Sequence, residues 1–139
     1  MGAARRQAVI EAPVREVWEL VGDPRRYPEW AGEVIEVTGV ASLDEGETFN
    51  QTGKLGPFTD TTVFEIDARE ELREIRLTCT KSGYYSHWLL TEAQGGTFAD
   101  VEIGMDPKHA FRAYDLIARR WYRGIVEDAI AGIRHRLER

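Results

Sequence analysis

The sequence predicts an α+β fold in which a curved antiparallel sheet of about six or seven strands wraps around one long C-terminal helix. Three observations carry this. Residues 33–105 alternate apolar and polar side chains in short runs separated by turn residues, the pattern of an antiparallel sheet with one wet face. Residues 108–137 contain no proline and repeat large apolar residues at helical spacing. Two proline-marked helix starts, at Pro13 and Pro24, separate the first strand from the rest. A meander this long has a large concave apolar face and a single long helix to cover it. The space between them need not be completely filled.

The first strand runs from Arg5 to Glu11, and Ala12-Pro13 stops it. Val14, Val17, Trp18 and Val21 then recur at helical spacing up to Gly22. Asp23-Pro24 opens a second short helix, with Asp23 as N-cap, and Pro28 breaks it within a turn. Strands follow over Val34–Ala41, Glu47–Leu55, Thr61–Ala68, the Ile75–Cys79 alternation, Tyr84–Thr91 and the Val101–Met105 alternation. Asp44-Glu45-Gly46, Gly56-Pro57, Ser82-Gly83 and Gln94-Gly95-Gly96 turn the chain between them. Asp106-Pro107 closes the sheet region, and one helix runs from about Lys108 to Leu137. Phe111, Tyr114, Ala118, Trp121, Tyr122, Ile125, Ala129, Gly132 and Ile133 lie on one stripe of that helix, about 120° wide. Arg112, Arg119, Arg120, Arg123, Glu127 and Arg134 lie elsewhere.

Composition bounds the function. The 139 residues are 42% hydrophobic and 30% charged, which excludes disorder as a main theme and is read as one domain over 1–139. The lone Cys79 makes neither an internal disulfide nor a cysteine zinc site. No apolar run approaches the roughly 18 residues of a membrane span. The opening MGAARRQAVIEA reads as mature protein rather than signal peptide, so a cytoplasmic protein is expected. The net charge is −6, with 10 basic and 20 acidic side chains in residues 1–107 and 8 basic and 4 acidic in residues 108–139. The helix arginines are therefore read as a solvated face offsetting the acidic sheet, and no nucleic-acid site is expected there.

The stretch Ala12-Pro13-Val14-Arg15-Glu16-Val17-Trp18-Glu19-Leu20-Val21, then Asp23 and Tyr27-Pro28-Glu29-Trp30, resembles the opening of the polyketide cyclase/dehydrase and lipid-transport family. Gly95-Gly96-Thr97 before the last strand and Asp106-Pro107 before the long helix are similar to family features. The family belongs to the START-like, helix-grip superfamily (SRPBCC), which includes the birch-pollen-allergen fold. The resemblance implies a helix-grip scaffold that binds a hydrophobic small molecule, with some members acting as aromatases or cyclases. It places Trp30 at the pocket mouth. The residues alone leave open whether Trp30 and Tyr27 line a pocket or staple the short helices to the sheet.

Strand alternation suggests which side chains face inward. Phe64, Ile66, Ile75, Leu77 and Cys79 share the core face; Phe49, Gln51, Gly53 and Leu55 are preferred on their strand. On Tyr84–Thr91 the set Tyr84, Ser86, Trp88 and Leu90 is preferred over Tyr85, His87, Leu89 and Thr91, because Trp88 is the largest apolar side chain to bury. The candidate ligand contacts are Trp30, Phe49, Gln51, Phe64, Tyr84, Ser86, Trp88, Met105, Phe111, Tyr114, Ala118 and Trp121. Their mixture of apolar walls and sparse polar groups is what a small-molecule pocket needs. The cavity is expected to open near Trp30, with room left by the small residues Ala118, Ala129 and Gly132. The alternative is that those small residues allow close helix–sheet approach.

No catalytic residue is assigned, and neither a cofactor nor a metal is expected. His87 falls on the outward parity with no acidic partner evident from spacing, and the three histidines lack metal-ligand spacing. Three functions remain. The first is binding of a lipid-, polyketide- or aromatic-like molecule. The second is a cyclase, aromatase or dehydratase acting in the same cavity. The third is a role in quinone binding or at the ribosome, since Leu20-Val21-Gly22-Asp23 with Tyr27-Pro28 is also similar to the opening of that related branch.

Overall fold

A computed structural model describes residues 3–55, 57–105 and 115–138, with only the backbone for 55 and 115–118. Its order is β1 (Ala3–Ile10), α1 (Val14–Val21), a 3-10 helix (Pro24–Glu29), β2 (Val34–Thr38), β3 (Thr48–Leu55), β4 (Phe58–Glu70), β5 (Glu74–Cys79), β6 (Tyr84–Ala93), β7 (Gly96–Met105) and α2 (Asp115–Leu137). The strands form one seven-stranded antiparallel sheet in the order β1-β7-β6-β5-β4-β3-β2. This is the α+β architecture the alternation and the long helical stripe predict.

The two short helices are held by named caps. Gly22 ends α1 through its N–H to the Trp18 carbonyl at 2.8 Å. The Asp23 side chain accepts from the Arg25 N–H at 3.0 Å and starts the next helix at Pro24. Pro28 does not break that helix but sits inside it, because proline's fixed φ suits a 3-10 turn whose own N–H bonds are few. The link between β1 and α1 is clamped by β7. The Thr97 hydroxyl, fully buried, donates to the Ala12 carbonyl at 2.7 Å. A Cβ on Gly96 would overlap the Ile10 carbonyl, so only glycine lets β7 pass there.

Register shifts between Val34 and Glu36 on β2, and between Ile66 and Ala68 on β4, bend the sheet as extra residues do. The inner face is built from Ile10, Phe49, Phe64, Ile66, Ile75, Leu77, Trp88, Leu90, Val101 and Ile103, all buried. Tyr122, Ile125, Val126, Ala129, Ile130 and Ile133 of α2 pack onto it. Val126 and Ile130 were not on the stripe drawn from spacing, whereas Trp121, which was, is 41% exposed. The buried face is thus rotated toward Val126 and Ile130. Lys108, Phe111, Arg112 and Tyr114 fall outside the described residues, as does the side chain of Ala118.

The other parity of β6 faces out. Tyr85 donates to Glu102 at 2.6 Å and lies under the Arg76 guanidinium, 4.4 Å from its ring centre. His87 faces out as alternation predicts, but it does have an acidic partner: its Nε2 lies 2.6 Å from Glu74. Spacing missed that pair because β5 brings Glu74 beside His87 across the strands.

Candidate functional site

A cavity of about 570 Å³ opens between the sheet and the N-terminal half of α2. Its apolar wall is Phe64 on β4, Tyr84 on β6, Met105 at the end of β7, and Trp121 and Ile125 on α2. The rings form a continuous run. Phe49 stacks on Phe64 at 5.9 Å, Phe64 meets Tyr84 edge-on at 6.4 Å, and Tyr84 lies 5.9 Å from Trp121. Aromatic faces in such contact give a stiff wall at low entropic cost. The volume lies within the usual range for small-molecule sites, roughly 300–1,000 Å³.

The polar part of the wall is sparse. Gln51 on β3 is only 8% exposed, and no described residue bonds its side-chain amide. Glu33, just before β2, is half-buried there too. Burial, with the neighbouring Asp128 carboxylate, pushes the Glu33 carboxyl above its ordinary value, against a hydrogen bond from its own backbone N–H. Burial also raises the Tyr84 phenol well above its usual value, helped by the negative field of Glu33. For Cys79 burial acts to raise the thiol, but Ser82, Thr62 and backbone N–H groups of the β5–β6 turn outweigh it and lower it. Lys54, Asp60 and Lys81 stand at the outer part, with Lys81 and Asp60 3.7 Å apart.

A second, smaller space of about 20 Å³ adjoins this cavity and shares Glu33, Gln51, Phe64 and Tyr84 with it. Trp30, Ser86, Trp88 and Ala129 close its far side. A third hollow, of about 370 Å³, lies between β1 and α2 and is lined by Arg5, Arg6, Arg119 and Arg123. Its cations are largely engaged: Arg5 with Asp100 at 2.5 Å, Arg6 with Glu127, and Arg119 with a further partner. Among the described residues no group of three His, Cys, Asp or Glu side chains is placed to hold a metal ion, and no helix is long and apolar enough to cross a membrane.

The polyketide cyclase/dehydrase and lipid-transport family matches residues 1–138. The chain belongs to this family. No curated protein matches the sequence. Solved structures share the START-like helix-grip fold. A START superfamily protein from Mycobacterium smegmatis superposes with a TM-score of 0.81 at 11% identity, covering 98% of this chain and 97% of its own. A protein from Thermus thermophilus gives 0.70 at 18% identity, covering 96% and 95%. A polyketide-cyclase-like protein from Corynebacterium glutamicum gives 0.60 at 20% identity, covering 96% and 85%.

Within this family member the structure sorts the candidate contacts named from sequence. Gln51, Phe64, Tyr84, Met105 and Trp121 meet in the large cavity. Trp30, Ser86 and Trp88 border the small space behind it, and Phe49 supports Phe64 from within the core. Phe111 and Tyr114 lie outside the described residues, as does the Ala118 side chain.

Trp30 does not stand at the mouth of the large cavity. Its Nε1 donates to the Leu20 carbonyl at 3.0 Å, and Tyr27 donates to the Val21 carbonyl at 2.8 Å. Both bonds tie the segment of the 3-10 helix to the end of α1, and Trp30 links it to the sheet by meeting Trp88 edge-on at 5.6 Å. Ala129 borders the small inner space, but Gly132 makes no room. A Cβ on Gly132 would overlap the Trp30 carbonyl oxygen, so this glycine allows close approach instead. Glu33, Lys54, Asp60 and Lys81 were missed. Each sits in or beside a turn or at a strand end, where alternation carries no inward signal.

Proposed function

We propose that this protein binds a hydrophobic small molecule, lipid-, polyketide- or aromatic-like, in the cavity between the sheet and α2. The observation that carries the reading is the run of rings from Phe64 through Tyr84 to Trp121 along a space of about 570 Å³. Trp121 is a large apolar residue left 41% exposed at that wall. A ligand seated against it removes that surface from water, at about 25 cal/mol per Å². The test is twofold: native mass spectrometry of freshly purified protein, and titration with the neutral fluorescent probe N-phenyl-1-naphthylamine. Saturable probe binding that weakens in Trp121→Ala supports the reading. No binding by the intact chain, even at millimolar probe, refutes it.

Glu33 favours a second reading, a cyclase or dehydratase acting on a substrate held in the same cavity. A carboxyl raised by burial stands closer to neutrality, where it serves as a proton donor and acceptor. Tyr84 beside it offers a hydroxyl. Conversion of a polyketide-like substrate that is abolished in Glu33→Gln, with substrate affinity retained, would establish it. Conversion undiminished in that variant would remove Glu33 from the chemistry.

A further inference from the structure

The inner end of the cavity carries an unusual set of side chains. Gln51, Tyr84 and Ser86 have no hydrogen-bond partner for their side chains among the described residues, and the Glu33 carboxyl meets only its own backbone N–H. Buried amides and hydroxyls are ordinarily bonded, and Gln51 is more than nine-tenths buried. No buried side-chain nitrogen or oxygen in the described residues is both unpartnered and sealed off. These polar atoms therefore reach accessible space, and all four residues border the same volume of about 20 Å³. That is the room one oxygen atom with its hydrogens takes, since about 10–15 Å³ of probe volume holds a water.

The chemistry of the four groups narrows what that oxygen belongs to. Glu33 has the Asp128 carboxylate behind it on α2, Tyr27 on the 3-10 helix and Tyr84 on β6. Lys54, next to it on β3, and Lys81 line the outer cavity but not this space. An anionic oxygen is thus repelled. A carbonyl oxygen brings the Glu33 carboxylate no donor beyond its own backbone N–H. A hydroxyl satisfies both sides, donating to Glu33 and accepting from the Gln51 amide or the Tyr84 hydroxyl. The rings of Phe64 and Tyr84 line both spaces, which suits an aromatic carrier of that hydroxyl.

We infer that the floor of the cavity is a binding site for the neutral hydroxyl of a phenol, with Glu33 accepting and Gln51 and Tyr84 donating, while the remainder of the ligand fills the apolar cavity. This rests on the ligand-binding reading above. The probes are naphthalene, 2-naphthol and 2-naphthoate, titrated into the full chain and followed by calorimetry. 2-Naphthol binds about tenfold tighter than naphthalene, the return on a fixed hydrogen bond or two, and 2-naphthoate binds weakest. Tyr84→Phe, which keeps the ring, and Gln51→Leu each shrink the preference for 2-naphthol over naphthalene. Equal binding of 2-naphthol and naphthalene, or tightest binding of 2-naphthoate, overturns the hydroxyl site while the cavity reading stands. Binding of none of the three overturns both.

Discussion

Two glycines of α2 respond oppositely to the same substitution. Gly124 is exposed on the helix, with nothing within 4 Å of a Cβ built there. Gly124→Ala therefore gains helix propensity alone, about 0.5–1 kcal/mol. Gly132 carries the same propensity gain, but its Cβ would overlap the Trp30 carbonyl oxygen and lie 3.1 Å from the carbonyl carbon, where ordinary contact begins near 3.4 Å. Backbone lies on both sides, so no flexible side chain can swing away. The helix must retreat from Trp30, loosening the fully buried Ile133 and its neighbour Ile130. It is also tied down by Arg134 to the Val9 carbonyl at 2.9 Å and by Arg136 to Glu29 at 2.7 Å. Overpacking of this kind costs roughly 1–3 kcal/mol. The propensity gain cancels between the two alanine variants, which should thus differ by about 1–3 kcal/mol, Gly132→Ala being the less stable. For a chain of this size each kcal/mol moves Tm by about 3–4 °C. Urea and thermal unfolding followed by circular dichroism measure both, with equal urea slopes confirming that only stability has changed. If Gly132→Ala proves as stabilising as Gly124→Ala, α2 does not approach Trp30 this closely and the packing described above is wrong.

Other outcomes follow from single residues. Trp121→Ala, at a half-exposed cavity wall, should cost under about 1 kcal/mol in urea unfolding, far less than the roughly 3–5 kcal/mol of a packed core tryptophan; a loss of that larger size would mean the wall is closed. Thr97→Val removes the only hydroxyl bonded to the Ala12 carbonyl among the described residues and should cost about 1–3 kcal/mol, read from the same unfolding curves. The Glu33 carboxyl is raised by burial and by Asp128, with the Tyr27 and Tyr84 phenols and Lys54 also near it, so its ionised form destabilises the fold. That cost is absent below the ordinary carboxyl value of 4.5 and grows as pH rises through the ordinary value toward the raised folded one. Glu33→Gln should accordingly raise Tm at neutral pH and lose that advantage in acid; an advantage independent of pH, or a lower Tm at neutrality, would show that the carboxyl is not held this way.

Much of the fold is decided by patterns that act over a few residues. Alternation with period two placed Phe64, Ile66, Ile75, Leu77 and Trp88 on the inner face, where they are buried, because a strand in a half-wet sheet has only two faces to offer. Asp23-Pro24 and Gly22 marked helix ends through their own local hydrogen bonds. The antiparallel meander and its covering helix were legible for the same reason. What escaped the sequence is everything set by the approach of segments far apart in the chain. Whether Gly132 leaves a hole or admits a neighbour depends on where the Trp30 backbone passes, and small side chains look the same in either case. The rotation of α2 that buries Val126 and leaves Trp121 exposed is set by its contact with β1 and β7, not by its own periodicity. Glu33 enters the cavity from a turn, and its raised carboxyl comes from burial and from Asp128 on α2, a field created only when the helix lies across the sheet. Local hydrogen bonding and hydrophobic period thus determine the scaffold, while the polar chemistry of the cavity is decided by tertiary packing, because burial and the field of distant charges exist only in the folded chain.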